Sequence, residues 1–123
     1  MTVGGKLQVE DIYVRGLALD EIPDPGNGVA IEVSRSGHIQ VVTAAAETNT
    51  LAAPTFVGQR LIISCKTHAV GDRVITVSAA FNAAGNTTIT LDTAGDAICL
   101  EGCRGSAGAL KWNEVWTNGP TLG

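Results

Sequence analysis

The residue types able to hold a metal ion fall in two short runs. "CKTH" places Cys65 and His68 three positions apart, and "CLEGC" places Cys99 and Cys103 four apart. Two such pairs loosely resemble a four-ligand zinc site. On a strand, however, residues three apart point to opposite faces, so Cys65 and His68 could converge only if a turn began at Cys65. The cysteine count of three is odd, and small buried thiols are the expectation, with no metal and no cofactor. The other chemical candidates are thinner. "SRSGH", with His38 at its end, lacks the strand–G-x-S-x-G–helix setting of a nucleophile elbow, and His38 is expected as an exposed bystander at a turn. "DTAGD" (Asp92–Asp96) lacks the alternating acids of a calcium loop and reads as a plain hairpin loop. "GNTTIT" and "GSAGAL" lack the lysine of a phosphate-binding loop. No pair of carboxylates on apolar strands suggests glycoside hydrolysis. No catalytic residue is therefore expected, and the chain is not expected to be an enzyme. Trp112 and Trp116, four apart on one strand, are expected on the same face, either as a core or edge plug or as a subunit or glycan contact.

The elements that carry these residues read as β nearly throughout. The chain has 123 residues, 45% of them hydrophobic and only 4% aromatic, so packing must rely on Val, Ile, Leu and Ala. "LIISCKT" (Leu61–Thr67) and "RVITVSA" (Arg73–Ala79) flank a Gly71-Asp72 turn and predict a hairpin. "NTTITLD" (Asn86–Asp92) with "AICLEG" (Ala97–Gly102), and "AIEVS" (Ala30–Ser34) with "HIQVVTA" (His38–Ala44), predict two more. "TNTLAAP" (Thr48–Pro54) and "ALKWNEVW" (Ala109–Trp116) add further strands. No sustained helical stripe is present. The fold class expected is all-β: a small jelly-roll-like sandwich of about eight short antiparallel strands with an extended N-terminal arm. Alternation assigns the core faces. Leu61, Ile63 and Cys65 share one face, Ile75, Val77 and Ala79 another, and Ile89 and Leu91 a third. Thr88, Thr90 and Thr76 lie on the outer faces.

The first residues differ. Leu7 and Val9, Ile12 and Val14, and Leu17 and Leu19 each alternate, but the register slips between pairs. No single face collects them, so the segment reads as a bulged first strand, as an arm that docks on a neighbouring subunit, or as disordered chain. "DEIPDPGNG" then interrupts β pairing. Pro23 and Pro25 remove ladder donors, and Asn27-Gly28 allows a tight reversal. The organisation expected is an arm over 1–22, a hinge over 23–28 and a β domain over 29–123. Net charge is −4, and Glu10, Asp11, Asp20, Glu21 and Asp24 place most of it before residue 29. A nearly neutral body suits packing among copies of itself, and the acidic balance argues against nucleic acid. No apolar run approaches the ~20 residues of a membrane span. The start of the chain lacks a signal-peptide layout, so synthesis in a cytoplasm is expected, with exit only as part of a larger particle.

Three stretches carry a family resemblance: "AAAETNTLAAPTFVGQRLIISC", "DRVITVSAAFNAAGNTTITLDTAGDAICLEG" and "WNEVWTNG". Together they resemble small virion proteins of tailed bacteriophages, over most of residues 29–118. The shared pattern is a threonine-rich strand after an acidic loop, then G-x-x-L-x-I, a V-T-V strand, a T-I-T-L strand with an AGD-like turn, and a terminal tryptophan strand. The resemblance implies a compact trimeric β domain that serves as a capsid decoration (cement) protein, or as a head-fibre or tail-appendage domain. Its implied partners are the major capsid protein and two further copies of itself, with no nucleic acid and no membrane. Its implied location is the capsid exterior of the virion. The leading segment resembles the arms of cement proteins in character, which points to Leu7, Val9, Ile12, Tyr13, Val14 and Leu17 as shell or subunit contacts. No catalytic residue carries over from such a family.

Overall fold

In a computed structural model of the chain, residues 2–3, 6–7 and 19–123 are described, and every regular element among them is a strand. In chain order these are β1 (Thr2–Val3), β2 (Lys6–Leu7), β3 (Asp20–Ile22), β4 (Gly37–Thr43), β5 (Glu47–Leu51) and β6 (Arg60–His68). They continue with β7 (Arg73–Val77), β8 (Thr88–Leu91), β9 (Ala97–Arg104), β10 (Leu110–Asn118) and β11 (Thr121–Leu122). β1 and β2 pair with each other. The remaining strands form a five-stranded sheet, ordered β10-β9-β6-β4-β3, and a four-stranded sheet, ordered β11-β8-β7-β5.

The all-β reading holds, but the pairing differs from expectation. β3–β4, β4–β6 and β5–β7 run parallel, whereas antiparallel pairing throughout was expected and a jelly roll would require it. None of the three predicted hairpins forms. β6 lies in the larger sheet and β7 in the smaller; β8 and β9 are likewise split. Ala30–Ser34 is not a regular strand. It lies along the edge of β5, where Gly28 N–H donates to Thr48 O (2.7 Å) and Ile31 N–H to Thr50 O (2.9 Å). The chain thus passes from one sheet to the other between β4 and β5, between β5 and β6, and between β6 and β7. Successive crossings stack: Ala69 N–H donates to Thr43 O and Glu47 N–H to Asp72 O, both at 2.9 Å.

Burial explains the choice. A turn containing Gly71-Asp72 can reverse a strand within its sheet or carry the chain across to the facing one. In the second arrangement the apolar rows Leu61-Ile63-Cys65 and Ile75-Val77 lie in facing sheets and close on one core. Gly71 itself, at φ +79°, sits against the backbone of Ala45 and Ala46, so a Cβ there would collide with the neighbouring crossing. The core comprises Ile39, Val41, Leu51, Leu61, Ile63, Cys65, Ile75, Val77, Ile89, Leu91, Ile98 and Leu100, with Phe81 and Trp112 as its aromatics. The faces read from alternation are the buried ones, except that Ala79 lies past the end of β7 and is exposed. Gln59, fully buried, organises the β5–β6 loop. Its side chain accepts from Thr55 N–H (2.7 Å) and donates to Val33 O and Arg35 O (2.8 and 3.1 Å).

The break in pairing read at Pro23–Gly28 is present: β3 ends at Ile22, and Asn27 and Gly28 form a turn with Gly28 at φ +75°. The strand before it, however, belongs to the larger sheet. Ile22 is opposite Ile39 in that sheet and is 2% exposed. The expected arm boundary at residue 22 is therefore corrected: Asp20–Ile22 is part of the β body.

Candidate functional site

The densest group of charged side chains forms where the segment after β3 crosses between the sheets. Arg73 starts β7 on the same inward parity as Ile75 and Val77, and is 1% exposed. A lone guanidinium there would be prohibitive, and the fold supplies partners from three elements. Arg73 Nη1 donates to Asp24 Oδ1 and Asn49 Oδ1, both at 2.8 Å. Nη2 donates to Asp24 Oδ2 (3.1 Å) and Val42 O (2.9 Å), and lies 3.0 Å from Glu47 Oε2. Asp24 also accepts the N–H of Gly26 and of Val42, each at 3.0 Å. Asn49 Nδ2 donates to Gly26 O and Val29 O at 2.7 Å. Burial works against the charged form of Asp24. The hydrogen bonds from Arg73, Gly26 and Val42, with the guanidinium charge, outweigh it and hold the carboxyl below its ordinary value. Both carboxylates are spent on Arg73, so the cluster ties the Pro23–Gly28 segment to the two sheets and offers no free acid or base. Pattern reading missed it because Arg73 looked like the polar start of a strand. Its inward parity was the available signal.

The metal candidates do not converge. Cys65 points into the core, while Cys99 and Cys103 share the outward parity of β9. His68 pairs with Asp72 across 3.0 Å. Among the described residues no group of three or more His, Cys, Asp or Glu is placed to hold a metal ion. All three cysteines are free. Burial, and secondarily the charge of Asp96, pushes the Cys65 thiol up; burial does the same to Cys99. Both are poor nucleophiles for that reason. Asp92–Asp96 is a crossing between sheets, not a hairpin loop: Asp96 Oδ2 accepts the N–H of Asp92 (3.1 Å) and Thr93 (3.0 Å).

His38 is not at a turn edge. It lies within β4, half-buried, with Nε2 2.8 Å from Ser64 Oγ on the neighbouring β6. This is a hydroxyl–imidazole pair, but it stands on a sheet face. Among the described residues no carboxylate hydrogen-bonds the other ring nitrogen. Two shallow clefts are lined by described residues elsewhere. One of about 290 Å³ is lined by Leu19, Asp20, Ser34, Arg35, Ser36 and Phe56. Another, of about 170 Å³, lies among Thr48, Asn49, Thr50, Thr76 and Gly28.

The tryptophans separate. β10 carries a bulge between Glu114 and Trp116, so Val115 is an extra residue and the side-chain parity inverts. Trp112 points inward, 1% exposed, and its indole N–H donates to Ala52 O at 2.8 Å. Trp116 points outward and is 41% exposed. The expectation of a shared face is corrected by this one-residue insertion. The pairings then set a single row across the outer face of the larger sheet: Glu21, His38, Ile62, Cys99 and Trp116, one from each strand. Of the expected leading-segment contacts, Leu7 lies in β2, opposite Thr2. Val9, Ile12, Tyr13, Val14 and Leu17 lie outside the described residues.

Comparison with known proteins adds no family: no family model matches the chain, and no curated protein matches it.

Proposed function

We propose that this protein is a structural virion protein: a capsid decoration protein that binds the assembled icosahedral head of a tailed bacteriophage as a homotrimer and stabilises it by bridging capsomers. The reading rests on the sequence resemblance over residues 29–118. The structural observation that supports it is the distribution of side chains. The buried charges are consumed in holding the body together, while Trp116 and Val115, 41% and 43% exposed, stand free on the outer side. Such a distribution supports the reading of a body that packs against neighbours. A cement protein opposes capsomer separation by adding buried interface, at roughly 25 cal/mol per Å² before the cost of association. On this reading the segment before Asp20 is an extended arm to the shell, through Leu7, Val9, Ile12, Tyr13, Val14 and Leu17, and the protein resides on the capsid exterior.

The test is to mix the purified chain with heads lacking it, and to measure bound copies and the temperature at which heads release DNA. Saturable binding with a raised release temperature is the expected result; no binding at saturating protein overturns the reading. The exposed Trp116 also supports a second reading, a receptor- or glycan-binding domain of a head fibre or tail appendage, since an exposed indole face stacks on sugar rings. Quenching or a blue shift of Trp116 fluorescence on titration with host-surface oligosaccharides would favour it.

A further inference from the structure

We propose that the Asn118–Gly119 dipeptide is a site of spontaneous covalent modification, where Asn118 loses its side-chain amide and the backbone isomerises. The other Asn–Gly dipeptide of the chain, Asn27–Gly28, is held unreactive by the fold. The inference does not depend on the reading above.

The chemistry belongs to the dipeptide. The Gly119 nitrogen gives up its proton to hydroxide and attacks Asn118 Cγ. A bond forms between that nitrogen and Cγ, the bond from Cγ to the side-chain nitrogen breaks, and ammonia leaves with a proton taken from water. Water then opens the five-membered succinimide at one of its two carbonyls. Opening at the side-chain carbonyl gives aspartate. Opening at the main-chain carbonyl gives isoaspartate, in which the chain runs through the former side chain. The net exchange is one water in and one ammonia out. Glycine favours the ring because no side chain crowds its nitrogen. That holds for both dipeptides, so local chemistry alone does not choose between them.

Hydrogen bonding separates them. Both are exposed, so water and hydroxide reach each. At the first, the two reacting groups are engaged by one residue of β5. Gly28 N–H donates to Thr48 O (2.7 Å), and Asn27 Oδ1 accepts Thr48 N–H (3.0 Å). The preceding Gly26 O is held as well, by Nδ2 of the buried Asn49 (2.7 Å). Ring closure at Asn27 therefore requires both bonds to Thr48 to open together. At the second, pairing with β9 stops at Asn118, opposite Ala97, and β10 is the edge strand of its sheet. Among the described residues no group accepts the Gly119 N–H, and none hydrogen-bonds the Asn118 side chain. The end of an edge strand is also where local opening costs least.

The fold keeps the labile pair in place. Gly119 has φ +100°, and a Cβ there would run into Asp96 Oδ1. Asp96 is itself fixed: it is 5% exposed, and its other oxygen accepts the N–H of Asp92 and Thr93. A larger residue at position 119 would slow ring closure, and the path by which the chain leaves β10 for β11 excludes it.

The experiment is to hold the native full chain in mildly alkaline buffer at physiological temperature and to map its tryptic peptides by mass spectrometry over time. Trypsin places Asn27 in the peptide 16–35 and Asn118 in the peptide 112–123, where fragmentation distinguishes it from Asn113. Residue 118 should gain the mass difference between an amide and an acid, in two chromatographic forms, aspartate and isoaspartate. It should convert roughly tenfold or more faster than Asn27, which has two hydrogen bonds to open first. A parallel incubation in denaturant should bring the two sites nearly level. An unchanged Asn118, over a period in which the denatured chain converts, overturns the proposal. So does a native Asn27 that converts as fast as Asn118. A native preference that persists undiminished in denaturant also overturns it, because the neighbouring sequence and not the fold would then set the difference.

Discussion

Arg73 shows what one side chain can impose on a fold. Its guanidinium is inside, so removing a partner leaves a buried charge uncompensated, a loss of about 3–5 kcal/mol for such pairs. Asp24→Asn keeps Glu47 and Asn49 in place and should fall at or below the low end of that range. Arg73→Met removes the charge together with its need for partners, but strands two carboxylates. Denaturant unfolding at pH 7 should therefore place both variants below wild type. The pH dependence follows from the same contact. The folded-state pKa of Asp24 is lowered, so its contribution is fully present above the ordinary value of 3.8 and is lost as pH falls through the folded value. Wild-type stability should decline on acidification below about that ordinary value, and Asp24→Asn should flatten this part of the curve. An acid limb that is unchanged in the variant would show that other carboxylates carry it. At the core's aromatic anchor, Trp112→Ala should cost about 3–5 kcal/mol, as large aromatic truncations do. Trp116→Ala, at an exposed site, should leave the melting of the unassociated chain nearly unchanged.

Among elements, β3 is the one whose role the structure changes. It contributes three residues, yet Ile22 is fully in the core and closes the open side of β4. Two truncations separate its role from that of the preceding segment. Removal of residues 1–22 takes away β3 and Ile22, and relative to removal of residues 1–19 it should cost roughly 2–4 kcal/mol, the burial of one large aliphatic side chain plus its cavity. Thermal melting of the two truncated chains measures the difference directly. If they melt together, β3 adds nothing and the arm reading extends to residue 22 after all. On the proposed function, both truncations should lose most of their binding to heads.

Considered whole, the molecule is wound. Crossings between the sheets at 44–46, 52–59 and 69–72 bring β4 beside β6 and β5 beside β7, so most pairings join residues distant in the chain. Such topologies must close long loops before any contact rewards it, and refolding is expected in the millisecond-to-second range, not in microseconds. Stopped-flow fluorescence of Trp112 would time it. The same winding turns Cys65 into the core and away from Cys99, Cys103 and His38 on the outer face of the larger sheet, and leaves His68 paired with Asp72. Chelators and reductants should accordingly leave the melting temperature unmoved. A large fall with EDTA, or stoichiometric zinc by elemental analysis, would mean that copies or undescribed residues complete a site the single body lacks.

The sequence by itself determined the element type, the seven longer strands β4 to β10, and the buried side of β6, β7 and β8. Strand parity is local: Leu61, Ile63 and Cys65, or Ile89 and Leu91, must share a face wherever the strand is placed. It also located the break after β3, because proline and glycine act on their own backbone. Only the tertiary structure decided which strands are neighbours. Gly71-Asp72 and Asp92–Asp96 have the chemistry of a turn, and a turn serves a hairpin or a crossing between sheets equally well. The decision fell to two apolar rows that can close on each other only from facing sheets. The separation of Trp112 from Trp116 had the same origin. Val115 becomes an extra residue only because β10 must keep its pairing with β9 on both sides of the bulge. Arg73 was hidden for the complementary reason: a charged residue at an inward position is stable only beside Asp24 and Glu47, and the winding of the chain alone brings those three together.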